Sequence, residues 1–376
     1  MSIITRPTLR WLVPVTAVAA VIGGGAAIGT FAAEAEPSLP PRTAAQLLVD
    51  LQTSRLEGLS GTVVQRADLG LPALAGLASA AAGDLTALVD GTNTLRVWYS
   101  GPDRQRVALI GTLGESDLIR DGRDVWAWNS RTNEAVHHTV AAENGTKAAP
   151  SDLPATPQQA ADLALAAIDP STEVSVGRSA TVAGRDAYEL VLDPRDNRSL
   201  IAQIRIAIDA TEHIPLRFEV FATGADRAAF EVAFTQVDFR RPDAAQFKFN
   251  PPPGVKIVEG SAKGDAPERK PGTAPDGMDR TKTVGTGWTT VVVAEAGPLG
   301  EADKAAGNKA DGDKAAGDKA AAEQIAGLLN GLTKVSGDWG SGRLLTSRLF
   351  SVLLTDDGRV LVGAVTPERL YEVARG

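Results

Sequence analysis

The alternation of apolar and polar residues at a period of two limits this chain's fold more than any other feature. Leu95, Val97 and Tyr99 alternate with Arg96 and Trp98. Ile204, Ile206 and Ile208 alternate with Gln203, Arg205 and Asp209. The same spacing recurs at Tyr188, Leu190 and Leu192, at Phe218 and Val220, and at Phe230, Val232 and Phe234. Neighbouring side chains of a strand point to opposite faces, so such runs read as strands with one buried side. After Phe234 the parity flips to Val237 and Phe239, which requires a bulge or sharp bend near Gln236. Helical spacing is rarer. Thr43 and Gln46 form a capping box ahead of Ala44, Leu47, Leu48 and Leu51, a stripe that ends near Gly58. Thr156, Pro157 and Gln159 open a second helix, with Ala160, Leu163, Ala164 and Ala167 as its stripe and Asp169-Pro170 as its stop. Turns at Gly101-Pro102-Asp103 and Asp121-Gly122 separate further strands, including Val125 to Trp128, where Trp126 and Trp128 share a face. The fold class is α+β, built on one large curved antiparallel sheet.

The chain of 376 residues has room for two domains. Arg6 and Arg10 precede an apolar run from Trp11 to Ala33, and no acidic residue appears before Glu34. Residues 1–35 therefore read as a signal peptide or an N-terminal membrane anchor; both place the remainder outside the cytoplasm, in the cell envelope. After Pro37, Pro40 and Pro41, residues 36–259 form the main domain. Residues 260–283 are polar and rich in Gly, Pro and Lys, which marks a linker. Residues 284–376 read as a small α+β domain that opens at Trp288 to Val293. It is interrupted by a degenerate Lys/Ala/Gly/Asp loop at 301–320, which has nothing to bury and is expected to be disordered. Ile325, Leu328, Leu329 and Leu332 form a helix stripe, Asp356-Asp357-Gly358 signals a hairpin, and Thr366-Pro367 opens a last helix.

Composition excludes several functions. With no cysteine there is no disulfide, thiolate metal site, cysteine nucleophile or cysteine-linked lipid. A net charge of −8 argues against nucleic acid as a partner. The sequence has no G-x-S-x-G elbow, no G-x-x-x-x-G-K loop and no H-E-x-x-H, so no catalytic, cofactor or metal residue is nominated. His137 and His138 sit at a strand end and face opposite ways, which does not suit one metal ion; a solvated strand end is the expectation. His213, between Glu212 and Ile214-Pro215, reads as a surface residue of a hairpin loop. Asp117, Asp121, Asp124, Glu189 and Asp193 fall at turns or on the polar parity of strands, which gives no support to a glycosidase pair. An envelope hydrolase would need a convergent Ser, His and carboxylate set, and the reading is of a protein that is not an enzyme.

An apolar sheet face must meet something. From Leu69 to Ala82 there is no charged residue, and the stretch Leu69 to Gly91 reads either as short core helices or as a mobile lid over an apolar cavity. Leu69, Leu71, Leu74, Leu77, Tyr99, Trp126 and Trp128 are the candidate lid and cavity residues, with core packing as the alternative.

Leu59-Ser-Gly-Thr-Val-Val-Gln65 after the first helix, Leu118 to Asn129, the helix at Thr156, Val182 to Pro194 and Phe247 to Val255 together resemble the LolA family of exported lipoprotein carriers. They are also similar to its relative RseB, a periplasmic regulator of an envelope-stress sigma factor. The resemblance covers about Thr43 to Glu259. It implies a half-open barrel, partly closed by helices, whose apolar face takes acyl chains or a lipidated peptide. The Asp121-Gly122 turn and the strand with Trp126 and Trp128 carry across, with Trp128 standing where the family usually has tyrosine. No catalytic site is inherited. The unit from Trp288 to Ala374 is loosely similar to the regulator's second domain, which implies a membrane-anchored regulatory protein such as an anti-sigma factor as the alternative partner. The arginine-rich, lysine-poor, alanine-rich composition suggests a high-GC actinobacterial source. The expectation is an envelope lipid- or lipoprotein-binding protein, with a stress-signalling subunit as the alternative.

Overall fold

In a computed structural model the described residues are 37–71, 90–111, 114–140, 157–158, 168, 170–259, 281–295 and 331–376. Helix α1 (Ala44–Thr53) starts as its sequence dictates. The Thr43 side chain accepts the Gln46 N–H, and Gln46 Oε1 accepts the Thr43 N–H at 2.9 Å. Leu47 and Leu51 point into the core, with Ala44 and Leu48 at its margin.

Two meanders follow. The first runs through β1 (Leu59–Asp68), β2 (Asp90–Tyr99), β3 (Arg104–Gly111), β4 (Gly114–Asp121), β5 (Asp124–Asn129) and β6 (Glu134–Thr139), each antiparallel to the next. The second comprises β7 (Thr172–Val176), β8 (Ala180–Val182), β9 (Arg185–Pro194), β10 (Ile201–Asp209), β11 (Pro215–Ala222) and β12 (Ala228–Asp238). Pairing of β1 with β12 joins them. β13 (Lys256–Glu259) adds to β6 in parallel, an exception to the antiparallel sheet that the sequence implies. The resulting 13-stranded sheet ends at β13 on one side and β7 on the other and does not close, consistent with a half-open barrel.

The join contains the expected change of parity. Thr62 pairs with Gln236 but Val63 pairs with Phe234, so Thr235 is the extra residue of a bulge. Phe230, Val232, Phe234 and Val237 thereby stay on one face. Gly61 is required beside it, because a Cβ there would lie 2.5 Å from the Gln236 carbonyl oxygen and 2.9 Å from the Phe234 ring.

We call the face bearing α1 the inner face. It carries Leu59, Val63, Leu190, Leu192, Ile204, Ile206, Phe218, Val220, Phe230, Val232 and Phe234, all in one core. The outer face of the same strands is ionic, with Arg66–Glu231 at 3.1 Å, Arg217–Glu189 at 3.3 Å and Arg217–Glu219 at 3.1 Å. Burial pushes the Glu219 carboxyl above its ordinary pKa.

A second sheet of six strands has the order β14 (Thr281–Val284), β15 (Val291–Glu295), β19 (Arg359–Gly363), β18 (Ser351–Thr355), β17 (Gly340–Thr346), β16 (Thr333–Gly337). Residues 281–283, assigned to the linker by composition, are thus paired strand. The Asp356-Asp357-Gly358 turn joins β18 to β19, with Gly358 at φ +90°. Helix α2 (Pro367–Ala374) has Pro at its start and Thr366 at the N-cap, though the Thr366 side chain makes no capping bond. Leu370 and Val373 pack on Val291, Leu353 and Leu361.

This sheet is fastened to the large one. Trp288 belongs to the large core, 4% exposed, and its Nε1–H donates to Thr172 Oγ1 at 2.8 Å. Leu349, Phe350 and Ala364 join the same core. Backbone bonds run from Leu200 N to Ala364 O (2.9 Å), Thr366 N to Arg198 O (3.0 Å) and Arg348 N to Leu69 O (2.8 Å). Trp288→Ala is therefore expected to cost about 3–5 kcal/mol, read as a lower urea midpoint followed by probes in both sheets.

Candidate functional site

Strand register decides which residues share a surface. Starting from Gly61, the partners Val97, Val107, Leu118, Ala127 and Val136 lie in one row across β1 to β6 on the inner face. Leu95 and Leu109 flank it on one side, Val125 and Tyr99 on the other. Exposure rises from Val97 to Leu118 and Ala127 and falls again at Val136. Val97 is 3% exposed, Val107 half-buried, Leu118 45% exposed, Ala127 exposed and Val136 half-buried. At the strand spacing of a sheet, Val97 to Val136 spans about 19 Å. Polar residues stand at both ends of these strands: Gln105, Arg120 and His138 at one, Ser116, Asn129 and Glu134 at the other. Among the described residues the inner face is thus sealed at β9–β12 and exposed at Leu118 and Ala127, an apolar trough with polar rims.

The seven candidate residues do not line one surface. Leu69 and Leu71 are 0% and 5% exposed in the large core, where Leu69 also accepts the Arg348 N–H. Leu74 and Leu77, with the rest of residues 72–89, lie outside the described residues. So do most of the second helix, 156–167, and the 301–320 loop. Tyr99 borders the inner face, and burial raises its hydroxyl pKa above the ordinary value. Trp126 and Trp128 share a face, as their spacing requires, but it is the outer one. Register makes this unavoidable: Leu118 faces inward and pairs with Ala127, so both flanking tryptophans face out.

On the outer face the tryptophans are covered. The segment after β12 folds through a 3₁₀ turn (Ala244–Phe247), capped by Asp243, whose Oδ1 accepts the Ala245 N–H at 2.8 Å. Phe247 is 1% exposed. Phe249 lies 4.9 Å from Trp126 and 6.5 Å from Trp128, ring centre to ring centre. Arg106 stacks on Trp98 at 5.0 Å and binds the buried Asp117 at 2.6 Å.

Of the histidines, His137 differs from expectation. His138 faces inward, and His213 adopts φ +56° in the turn between β10 and β11, 4.0 Å from Asp50. His137 is not merely solvated. It lies on Trp126 with both ring nitrogens against carboxylates, of Glu259 (2.8 Å) and Asp124 (3.0 Å). Glu259 is 122 residues away in sequence, and no local signal announces it.

No protein-family model and no curated protein matches the chain. Solved structures do. The MucA/MucB complex of Pseudomonas aeruginosa is similar at 14% identity over 88% of this chain and 96% of that one, with a TM-score of 0.40. A LolA superfamily protein of Nitrosomonas europaea is similar at 13% identity over 56% of this chain and 99% of that one, with a TM-score of 0.23. An uncharacterized conserved protein of Thermus thermophilus shares 14% identity over 57% of this chain and 98% of that one, with a TM-score of 0.33. The structural neighbours thus include MucB and LolA-superfamily proteins. Among the described residues no helix is long and apolar enough to cross a membrane.

The trough makes a prediction about adjacent residues of β4. Leu118→Lys should change stability by no more than about 0.5 kcal/mol, as for a surface substitution. Ile119→Lys, at 1% exposure on the outer face, places an amine in the core and should cost more than about 4 kcal/mol. Paired thermal melts of the two variants check it.

Proposed function

We propose that the protein is an exported, non-enzymatic binding protein that takes the acyl chains of a lipid or lipidated protein along the open inner face of its half-barrel. The observation that carries this reading is the row Val97, Val107, Leu118, Ala127, Val136. It is apolar, continuous with the core at Val97 and exposed at Leu118 and Ala127. A soluble protein that leaves such a row open loses burial energy unless a ligand covers it. A chain of methylenes suits it, since the row offers no charged group between its polar rims. Each methylene buried contributes about 0.8 kcal/mol, so ten give roughly 8 kcal/mol before the costs of binding. Tyr99, at the inner margin, is placed to flank such a chain.

A second reading has its own observation. Val292, Leu354, Val360 and Val362 share the face of the six-stranded sheet opposite α2, and all four are half-buried. This face supports the alternative of a signalling subunit that holds a membrane-anchored regulatory protein, such as an anti-sigma factor.

Organic extracts of the protein, purified after export in a native-like host, separate the two by mass spectrometry. A co-purifying acyl lipid in stoichiometric amount is the expected result. Affinity for a series of saturated fatty acids should then rise about fourfold per methylene until the row is filled, and Leu118→Lys should abolish that dependence. A clean extract from folded protein, with no saturable fatty-acid binding, sinks the acyl reading and favours the signalling one.

A further inference from the structure

The outer face holds a cluster that acyl binding does not use. His137 Nδ1 lies 2.8 Å from Glu259 Oε2 and Nε2 lies 3.0 Å from Asp124 Oδ1. A neutral imidazole carries one N–H and an imidazolium carries two. Both contacts are hydrogen bonds only when the ring is charged; the neutral ring must turn a lone pair toward one of the carboxylates. The ring also lies flat on Trp126, 4.1 Å away and tilted by 14°, a stack that an indole offers preferentially to a cation.

Glu259 closes β13, a strand of four exposed residues at the free edge of the large sheet. Besides its parallel ladder to β6, this strand is tied by the Lys256 N–H to the Asn133 carbonyl at 3.0 Å and by the Lys256–Glu134 pair at 2.5 Å. Both of those ties are at its start. At its end the side-chain tie is the histidine, 122 residues away in sequence.

We propose that Asp124, His137 and Glu259 form a proton-operated latch at the sheet edge, in which the charged imidazole holds β13 against β6 and the neutral one releases its C-terminal end. Asp124, from β5, orients the ring and is the carboxylate that remains when Glu259 leaves. The groups facing the ring are Asp124 from β5, Glu259 from β13 and the Trp126 indole, with Phe249 of the covering segment on that indole. His138 lies on the opposite face, and Lys256 with Glu134 forms the pair at the other end of the same ladder. Burial alone lowers the pKa of His137, but the bonds to Glu259 and Asp124 outweigh it and hold the group above its ordinary value of 6.5. A raised folded pKa gives a stabilising contribution that is complete below about 6.5 and is lost as pH rises through the shifted value. The edge is therefore fastened in mild acid and loosened as pH rises.

The test uses the full chain. Ring resonances of His137 are titrated by NMR, and hydrogen exchange of the 256–259 amides is followed from acid to alkaline pH and corrected for intrinsic rates. His137 should titrate above 6.5, and protection of 256–259 should fall about two- to fivefold across that titration, while β1 and β2 stay unchanged. Glu259→Gln should lower the His137 titration and flatten the pH dependence at the edge. His137→Gln should flatten it too; where that variant also loses the edge at every pH, Glu259→Gln, which leaves the stack on Trp126 in place, decides. Titration of His137 at or below 6.5, or protection of 256–259 that does not vary with pH in the unaltered chain, overturns the latch.

Discussion

The pairing of β1 with β12 is the contact on which the large sheet depends. Each meander is built from neighbours in sequence, but this ladder brings Thr62 to Gln236 and makes two sheets into one. It also fixes the geometry of the join. The bulge at Thr235 keeps Phe234 and Val237 on the inner face, and Gly61 supplies the space that the bulge needs. A side chain at Gly61 would separate the strands where the inner core meets the open row. Closing so distant a pair is entropically costly, so the meanders are expected to form before the join.

The division of the faces follows from that join. On the β9–β12 side, α1 and side chains of the second sheet fill the inner face, while the outer face is held by largely buried arginine–glutamate pairs. On the β2–β6 side the arrangement is reversed. Phe247 and Phe249 cover the outer face over Trp126 and Trp128, and among the described residues none covers Leu118 and Ala127 of the inner row. One sheet thus presents a sealed half and an unsealed half of the same apolar surface, and the proposed ligand completes the second half as α1 completes the first.

What could be read from the sequence was local. The capping box at Thr43 and Gln46, the parity flip after Phe234, the hairpin at Gly358 and the shared face of Trp126 and Trp128 all involve residues within a few positions of one another. Which face the tryptophans occupy was not readable, because it depends on register through three strands. Tyr99, joined with them as a candidate, lies on the other side for that reason. The charge-free stretch from Leu69 left core and lid open as alternatives, and its first residues, Leu69 and Leu71, are core. The parallel addition of β13, the Trp288–Thr172 bond and the His137–Glu259 contact each link positions more than a hundred residues apart, with no motif to mark them.

Trp288 carries a consequence for the order of assembly. Its socket beside Thr172 is formed by strands that leave the ribosome more than a hundred residues earlier. Until the later segment arrives, those strands present an unfilled apolar hollow, and a nascent chain stalled in that interval is exposed to aggregation. The large sheet is thus topologically complete at β13 but not packed; its core is completed by the second sheet, Trp288 first and Leu349, Phe350 and Ala364 after it.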